Sequence, residues 1–519
     1  MNSYFSPSVT DICCMKQILL FGAGKSATVL IDYLLSHASK ENWKVVVADA
    51  NYDLASAKIK GSPHGQAISF DVMDTAQRED QIGTCDLVIS MLPPALHREV
   101  AKDCIRFSKH LLTASYVDDE MRKLQKDIAE KEIVFLCEMG LDPGIDHMSA
   151  MKLIDEIHHA GGTVTSFQSH CGGLVAPESD DNPWHYKISW NPRNIVLAGK
   201  AGAHYLDKGE EKRLKYEELF TTQNLVDVPG IGLFCWYANR DSLSYAPLYG
   251  LETTPTFVRT TLRHPDFMYG WKNVIDLKLT DETPQFDTDG KTLGEVFKEH
   301  MDKNGFGEWL EKKLQDRFSK SKDMLQNLVR LMEFEKEATQ EGAEIPETFM
   351  AADAKGNIEE IGLDDVKNRG AAYLAHTMHE ANLTLKQLFY LGLDDLETKV
   401  NKGMCSPADL LQFALEKKLA LQPHDKDMIV MLHEIQSTVN GQQSTVRSSL
   451  IVKGEDSLHT AMAKTVGLPL GIAARLILSG RLTLKGLHIP TSKEIYEPVL
   501  KELEEYGIAF QEDRSSEGS

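Results

Sequence analysis

Gly22, Gly24 and Ala27 are spaced as G-x-G-x-x-A, directly after the apolar run "ILLF" and before a stretch with helical periodicity. In such a turn the first glycine allows a tight bend, and the second leaves room for a pyrophosphate against the backbone. The small third residue lets the helix lie close to the sheet, and the helix N-terminus offers N–H donors to the phosphates. This pattern predicts dinucleotide binding by Gly22, Ala23, Gly24, Lys25, Ser26 and Ala27.

Asp49 ends the next apolar run, "WKVVVAD". At this position an acid accepts hydrogen bonds from both ribose hydroxyls of NAD. Ala50 and Asn51 follow without an arginine for a 2′-phosphate, so we expect NAD to be preferred, with NADP as the other possibility. A strand-end aspartate that only holds a turn is the structural alternative. The same arrangement predicts Asp71 and Val72 beside the adenine, and Ser90, Leu92 and Pro93 beside the nicotinamide ribose.

These side chains can meet only if strand ends gather at one edge of a sheet. Residues 16–136 contain six short β-branched runs separated by helical stretches, which is typical of a doubly wound parallel sheet. We therefore expect an α/β protein whose N-terminal Rossmann domain covers residues 1–144.

The rest of the chain has a different pattern. Residues 145–280 and 425–469 predict a mixed α+β domain that binds substrate, with a hairpin at Asn440-Gly441. Residues 281–424 have helical periodicity and predict a helical domain. Two further helices follow the hairpin, and the terminal "QEDRSSEGS" is predicted to be a frayed polar tail.

Composition excludes several classes of function. A net charge of −21 repels nucleic-acid phosphates, and an anionic substrate would need arginines concentrated at its site. We expect no membrane span, since no uninterrupted apolar run reaches 18 residues, and no export signal at the N-terminus. Eight scattered cysteines without a CxxC pair suit the cytoplasm. Asp146 and His147, with His158 and His159, lack the spacing of metal ligands, so no metal is expected.

Three stretches have unusual composition: "TASYVDDEM" (113–121), "EMGLDPGIDHMSAM" (138–151) and "SHCGGLVAPESDDNPWHYKISWNPR" (169–193). At these stretches the chain resembles the L-glutamate-forming saccharopine dehydrogenases, and the similarity continues through "VRTTLR" (258–263) and "SKEIYEPVL" (492–500). The resemblance implies NAD(P)-dependent oxidation of saccharopine to L-glutamate and 2-aminoadipate 6-semialdehyde, or the reverse reaction, in lysine metabolism. It also implies a homodimer formed through the mixed-sheet domain, and C-terminal helices over about 470–519 that pack back on the Rossmann domain.

The resemblance assigns substrate binding to two arginines. Arg240 and Arg263 match positions that hold carboxylates, and a guanidinium gives the bidentate, charge-assisted geometry that a carboxylate prefers. A surface ion pair is the alternative role for each. The other residues assigned to the substrate are Ser115, Tyr116, Asp142, Thr261 and Leu262.

Tyr116, Asp142 and Cys171 are the catalytic candidates that the resemblance implies. Asp142 would accept a proton if burial or its neighbours raise its pKa, and a turn aspartate that binds backbone N–H groups is its alternative. Tyr116 has the alternative of a buried ring whose hydroxyl binds backbone. Cys171 belongs to the implied site, although the reaction needs no thiolate and most isolated cysteines are packing residues. The remaining cofactor contacts implied are Ala114, Ser115, Leu141, Asp142, Pro143 and Asn191.

Two other functions stay open at this point. A carboxynorspermidine- or opine-type dehydrogenase of the same superfamily keeps the CH–NH chemistry, but its amine-bearing substrates need acids where this chain has Arg240 and Arg263. A non-catalytic redox sensor that binds NAD(H) belongs to another class. It predicts the loss of Tyr116, Asp142 or the arginines, all of which are present.

Overall fold

The computed structural model describes residues 15–341, 348–352 and 358–516. Its N-terminal part alternates strands with helices, as the sequence predicts. In chain order these elements are β1 Lys16–Phe21, α1 Thr28–Glu41, β2 Trp43–Asp49, α2 Tyr52–Ile59, β3 Gly65–Ser69, α3 Thr75–Thr84, β4 Leu87–Ser90, α4 Pro94–Phe107, β5 His110–Thr113, α5 Asp119–Lys123, α6 Gln125–Glu130, β6 Val134–Leu136 and α7 Ile145–His159.

A second sheet follows, and a mostly helical segment is inserted into it. The elements before the insertion are β7 Thr163–Val175, α8 Pro192–Val196, β8 Ala203–Asp207, β9 Glu210–Leu214, α9 Tyr216–Leu219, β10 Leu225–Val228, β11 Gly232–Ala238, β12 Arg240–Asp241, α10 Ala246–Tyr249, β13 Thr256–Arg263 and α11 Pro265–Asp276. The insertion contains β14 Phe286–Asp287, α12 Leu293–Lys303, α13 Phe306–Glu341, β15 Thr348–Ala352, β16 Ile358–Gly362, α14 Leu363–Tyr390, β17 Met404–Cys405 and α15 Pro407–Lys418. The chain then returns with β18 Asp427–Val439, β19 Gln442–Lys453, α16 Ala461–Leu478, β20 Gly486–His488, α17 Lys493–Glu505 and β21 Gln511–Ser516.

The first sheet is parallel. Among the described residues it has seven strands in the order β20-β6-β5-β4-β1-β2-β3. Its central strands are buried on both faces, which explains their continuous apolar runs. The α/β class and the six predicted strands are confirmed. The strand order reverses between β1 and β4, and in such sheets ligands bind at this point, outside the carboxyl ends of the strands.

The second sheet is mixed, with β13 parallel to β7 and β18 antiparallel to it. β18 and β19 form the predicted hairpin, in which Asn440 and Gly441 have φ values of 51° and 81°. The predicted frayed tail is wrong over 511–516. These residues form β21, because their backbone pairs with the edge of β19 and Arg514 forms an ion pair with Glu156. Residues 517–519 lie outside the described residues.

α16 packs on α1 and brings the end of the chain to the first sheet. Gly467 and Gly471 permit this close approach, because a Cβ there would come 2.9 Å from the Leu30 backbone nitrogen and 2.5 Å from the Tyr33 ring. Tyr33 in turn donates a hydrogen bond of 2.6 Å to Glu502 of α17. Helix α1 and the C-terminal helices α16 and α17 therefore pack together in one layer.

α16 is also the one helix of the described residues that is long and apolar enough to cross a membrane. The sequence analysis found no such uninterrupted run because Lys464 and Arg475 lie within this helix. In the structure 83% of it is buried inside the protein. This burial is that of a core helix.

Candidate active site

The glycine turn has the geometry that a dinucleotide needs. Gly22 adopts a φ of 95° and donates a 2.8 Å hydrogen bond to the carbonyl of Ala48, and a Cβ there would approach the carbonyl oxygen of Met91 to 3.1 Å. A Cβ on Gly24 would meet no atom within 4 Å, which leaves space for a phosphate beside the backbone. Lys25, Ser26 and buried Ala27 form a short 3-10 turn that leads into α1. The predicted dinucleotide-binding residues therefore fit such a group.

Asp49 does not point a free carboxylate at a ribose. One of its oxygens accepts the Ala23 N–H at 2.7 Å, and the other accepts the Asn51 N–H at 2.8 Å. Lys58 lies beside this turn, donating to the carbonyl of Gly24 and to Thr28 Oγ1, and burial lowers the pKa of Lys58 to about 8. Asp49 therefore stabilises the glycine turn, which is the alternative role named above.

The ends of β4 and β5 are joined by a histidine that the sequence analysis missed. His97 Nδ1 lies 2.9 Å from Ser90 Oγ, and its Nε2 lies 2.8 Å from Ser115 Oγ. Burial lowers the pKa of His97 to about 4, so the ring is neutral at neutral pH. His97 therefore fixes two hydroxyls that were predicted to face the nicotinamide. A histidine three residues after "SMLPP", on the first turn of α4, is the sequence signal that could have identified it.

Five predicted cofactor contacts lie on loops around these strand ends. Leu92 and Pro93 connect β4 to α4, and Asp71 follows β3, where it accepts the Met73 N–H at 2.9 Å. Ala114 follows β5 and packs close to Gly140. The other member of this group is Val72, next to Asp71.

Tyr116, Asp142 and Arg259 form a hydrogen-bonded cluster between the two sheets. Tyr116 donates to Asp142 at 3.1 Å, and Arg259 Nη2 lies 2.7 Å from Asp142 and 2.7 Å from Asp146. Leu141 and Pro143 flank Asp142 in a loop that is closed by the hydrogen bond from the Gly140 N–H to the Pro143 carbonyl. Arg259 is a functional residue that the sequence analysis missed.

The carboxyl groups of this cluster differ in electrostatics. Burial and the negative charge of Asp146 raise the pKa of Asp142, while Arg259 lowers it. Burial acts in the same direction on Asp146, but His147 and Arg259 hold the pKa of Asp146 below its usual value. Asp142 is therefore the carboxylate better suited to accept a proton. Burial and the charge of Asp142 raise the pKa of Tyr116 well above its usual range, so its hydroxyl stays protonated.

A second buried network lies behind this cluster. His147 Nε2 lies 2.8 Å from Glu138, and its Nδ1 lies 2.5 Å from the Tyr249 hydroxyl. Glu138 also accepts hydrogen bonds from Tyr245 at 3.0 Å and from the Val117 N–H at 2.9 Å. Because every one of these groups is paired, the network positions the loop that carries Asp142.

Arg240 lies beside this cluster, and Arg263 lies four residues beyond Arg259 on β13. The Arg240 guanidinium is 5.0 Å from the centre of the Tyr116 ring. Arg263 is only 4% exposed and lies between the rings of Tyr186 and Phe267, at 5.4 and 5.6 Å. Its guanidinium donates a hydrogen bond to the carbonyl oxygen of Leu262. Within the described residues no acid forms an ion pair with Arg263. A buried guanidinium without an acid is able to bind an anion.

Cys171 lies on β7 opposite Thr261 of β13, next to the arginine positions. Burial raises the pKa of its thiol well above the usual range, so it stays a neutral thiol. Leu262 is fully buried, and a Cβ on Gly172 would come 2.8 Å from its Cβ. The two strands therefore pack closely at this point.

The structure does not bring Asn191 into this cluster. Its side chain accepts the Arg193 N–H at 2.9 Å and begins α8. Arg193 forms ion pairs with Glu282 and Asp409 on the inserted segment.

A separate charged cluster lies where α11 begins. His185 Nδ1 is 2.6 Å from Asp180, its Nε2 is 3.3 Å from Asp266, and His379 of α14 reaches Asp266 at 3.0 Å. The His185 and His264 rings are stacked at 3.9 Å, so their nitrogen lone pairs do not converge on one ion. This arrangement favours ion pairs over metal binding, although the donor atoms of His185, His264 and Asp266 lie within 4.8 Å of one another.

A dinucleotide turn on one sheet, with arginines of a second sheet nearby, is the arrangement of dinucleotide-dependent oxidoreductases. Residues 18–136 match the family described as "Saccharopine dehydrogenase NADP binding domain", and residues 140–508 match "Saccharopine dehydrogenase C-terminal domain". The chain belongs to the saccharopine dehydrogenase family.

Individual relatives agree with this assignment. The chain is 31% identical to the saccharopine dehydrogenase [NADP(+), L-glutamate-forming] of Saccharomyces cerevisiae, over 96% of this chain and 99% of that protein. It is 31% identical to the alpha-aminoadipic semialdehyde synthase of Arabidopsis thaliana, of which it covers 44%. The solved apo structure of the Saccharomyces cerevisiae L-Glu-forming saccharopine dehydrogenase superposes with a TM-score of 0.74, at 29% identity over 96% of this chain and all of that one.

The expected preference for NAD is wrong. The matched N-terminal family is described as NADP-binding, and the relative of Saccharomyces cerevisiae is named for NADP(+). The expectation depended on a free carboxylate at Asp49. In the structure that carboxylate is held by the glycine turn, because one oxygen accepts the Ala23 N–H and the other accepts the Asn51 N–H.

Proposed function

We propose that this protein is a saccharopine dehydrogenase that oxidises the secondary amine of saccharopine with NADP+, yielding L-glutamate and 2-aminoadipate 6-semialdehyde, or catalyses the reverse reaction. The observation that carries this proposal is the buried guanidinium of Arg263, which has no ion-pair partner among the described residues and lies on the same strand as Arg259, the partner of Asp142. Saccharopine is a tricarboxylate, and a chain of net charge −21 needs such arginines to hold it.

The three arginines of the candidate site have different roles in the proposed reaction. Arg240 and Arg263 bind substrate carboxylates, since no acid of the described residues forms an ion pair with either one. Arg259 holds Asp142 and Asp146 at 2.7 Å each and so fixes the proton acceptor. Tyr116 stays protonated and donates a hydrogen bond in the site.

The chemistry needs one hydride acceptor and one proton acceptor. When bound, the nicotinamide dinucleotide supplies the hydride acceptor for the carbon beside the amine nitrogen. Asp142 takes the amine proton, which its raised pKa favours, and the substrate becomes an imine. Water adds to that imine, and the C–N bond breaks to release the amine of glutamate and an aldehyde. Cys171 contributes packing as a neutral thiol.

The alternative substrates fit this cluster less well. Carboxynorspermidine- and opine-type substrates with extra amines need free acids as partners. Within the described residues, the acids beside Tyr116 are Asp142 and Asp146, and both are bound to Arg259. A redox sensor without turnover gives no reason for a buried arginine that has no acid partner.

Several further properties rest on the composition, the sequence pattern and the family resemblance, and we propose them with the function. The chain acts as a homodimer in the cytoplasm, without nucleic-acid or membrane partners and without a metal. Its domains are the Rossmann domain 1–144, the substrate and dimerisation domain 145–280 with 425–469, the helical domain 281–424, and C-terminal helices within 470–519 that belong with the first.

The test is absorbance at 340 nm. Purified protein with saccharopine and NADP+ is expected to raise it, and L-glutamate with 2-aminoadipate 6-semialdehyde and NADPH to lower it. The Tyr116→Phe variant keeps the ring beneath Arg240 and removes the hydroxyl that binds Asp142, so we expect lower kcat with the same fold. No change at 340 nm in either direction would overturn the proposal, and turnover of an opine without saccharopine turnover would assign the alternative.

A further inference from the structure

The long helix α13 carries exposed apolar side chains that its partner helix α14 does not cover. One face of α13 packs on α14, where Leu328 lies so close to Gly370 that an added Cβ would come within 2.8 Å of it. Another face remains open: Phe318 is 63% exposed, Leu325 52%, Val329 44% and Met332 60%. Isolated exposed apolar residues are ordinary, but four on one helix within 15 residues form a stripe.

The spacing of this stripe is that of a helix–helix seam. Its members lie at intervals of seven, four and three residues, so they follow a 3.5-residue repeat. The same repeat is continued by Lys322 and Lys336, both exposed. The complete set, which we call the α13 seam, is Phe318, Lys322, Leu325, Val329, Met332 and Lys336. It spans about 27 Å at the rise of an α-helix.

The distribution of charge along α13 indicates which partner covers the α13 seam. Residues 312–330 are rich in lysine and arginine, with Lys312, Lys320 and Arg330 among them, whereas residues 331–341 contain four glutamates and one lysine. Two copies of the helix in antiparallel orientation place each basic half beside the acidic half of the other. A parallel pair would place like charges together, which is unfavourable.

We propose that α13 is an interface between two copies of this chain, in which the two α13 seams pack antiparallel with Leu325 of one protomer beside Val329 of its partner. Lys322 and Lys336 extend their aliphatic parts along the seam and keep their charges at its edge. With the α14 helices the contact forms a four-helix bundle. This interface is separate from the dimerisation through the mixed-sheet domain that we propose with the function, and it joins two such homodimers.

The experiment measures the mass of the full-length protein in solution by analytical ultracentrifugation over a range of concentrations. Leu325→Glu places a charge in the seam, and Gln326→Glu adds the same charge at the neighbouring exposed position outside it. We expect Leu325→Glu to halve the mass of the assembly and Gln326→Glu to leave it unchanged. Thermal unfolding and kcat/KM of both variants should equal those of the parent, because Leu325 is already half exposed.

A charge reversal tests the orientation. In the antiparallel pair Lys322 of one protomer lies near Glu333 of its partner, so Lys322→Glu should weaken association roughly fivefold. Adding Glu333→Lys should restore it, whereas in a parallel pair the double variant would stay weak. The proposal is overturned if Leu325→Glu has the same mass as the parent at every concentration. Failure of the double variant to restore association overturns the antiparallel arrangement.

Discussion

Arg263 is buried between the rings of Tyr186 and Phe267, and burial there costs free energy for a guanidinium that has no acid beside it. We expect Arg263→Met to raise the KM for saccharopine by 10- to 100-fold, equivalent to about 1.5–3 kcal/mol for charge-assisted hydrogen bonds. The KM for NADP+ should change little. The free energy of unfolding should stay equal or rise, because the variant removes a buried charge.

Steady-state kinetics and denaturant unfolding check this expectation. Arg193→Met is the matched control, since Arg193 is paired with Glu282 and Asp409 and lies outside the cluster. An unchanged KM together with lower stability in Arg263→Met would show that Arg263 is structural.

Residue types alone could not separate the roles of the three arginines. Arg259 and Arg263 are four residues apart on β13, in the same motif, and sequence analysis selected only Arg263. Only the folded arrangement shows that Arg259 meets Asp142 and Asp146 while Arg263 meets no acid among the described residues. His97 was missed for the same reason, because its partners Ser90 and Ser115 come from two other strand ends.

At the scale of single elements, the turn between β1 and α1 depends on Asp49. Asp49→Ala leaves the buried N–H of Ala23 without an acceptor, which should lower the free energy of unfolding by about 1–3 kcal/mol. The KM values for NADP+ and NAD+ should rise together, because the turn itself loosens. Asp53→Ala, at an exposed position of α2, is the control. A change confined to the ratio of the two KM values would instead indicate contact with the ribose.

The start of α11 is held by ion pairs that depend on pH. Hydrogen bonds to Asp180 and Asp266 raise the pKa of His185 to about 9, with His264 and His379 as the other titratable groups that face it. A folded pKa above the unfolded value of about 6.5 means that this stabilisation is complete below pH 6.5 and is lost as pH rises to 9.

We therefore expect the parent to be more stable than His185→Gln at pH 6, with the difference shrinking toward pH 9.5. Denaturant unfolding at several pH values measures it. His204→Gln, which removes a partly buried histidine paired with Asp241 and Glu211, is the control. A difference that does not depend on pH would contradict the role of His185.

Elements with a strong pattern were predicted well, and short edge elements were not. Apart from the edge strand β3, the strands β1 to β6 are largely buried apolar runs, so their sequence carries the signal. β20 has only three residues, and β21 is the polar segment "QEDRSS". Both join a sheet because an edge offers them backbone partners, and this tertiary effect leaves no pattern in the sequence.

At the scale of the whole molecule, the end of the chain supports its beginning. Gly467 of α16 lies against Leu30 in the first turn of α1, directly after the dinucleotide turn, and an added Cβ would come 2.9 Å from backbone that cannot move aside. Gly467→Ala should lower the free energy of unfolding by about 1–3 kcal/mol through overpacking and should raise the KM for NADP+. Gly307→Ala in α13 is the matched control, since its Cβ meets no atom within 4 Å and alanine favours a helix. If both variants had the parent's free energy of unfolding and KM for NADP+, the claim that α16 holds the first turn of α1 in place would be contradicted.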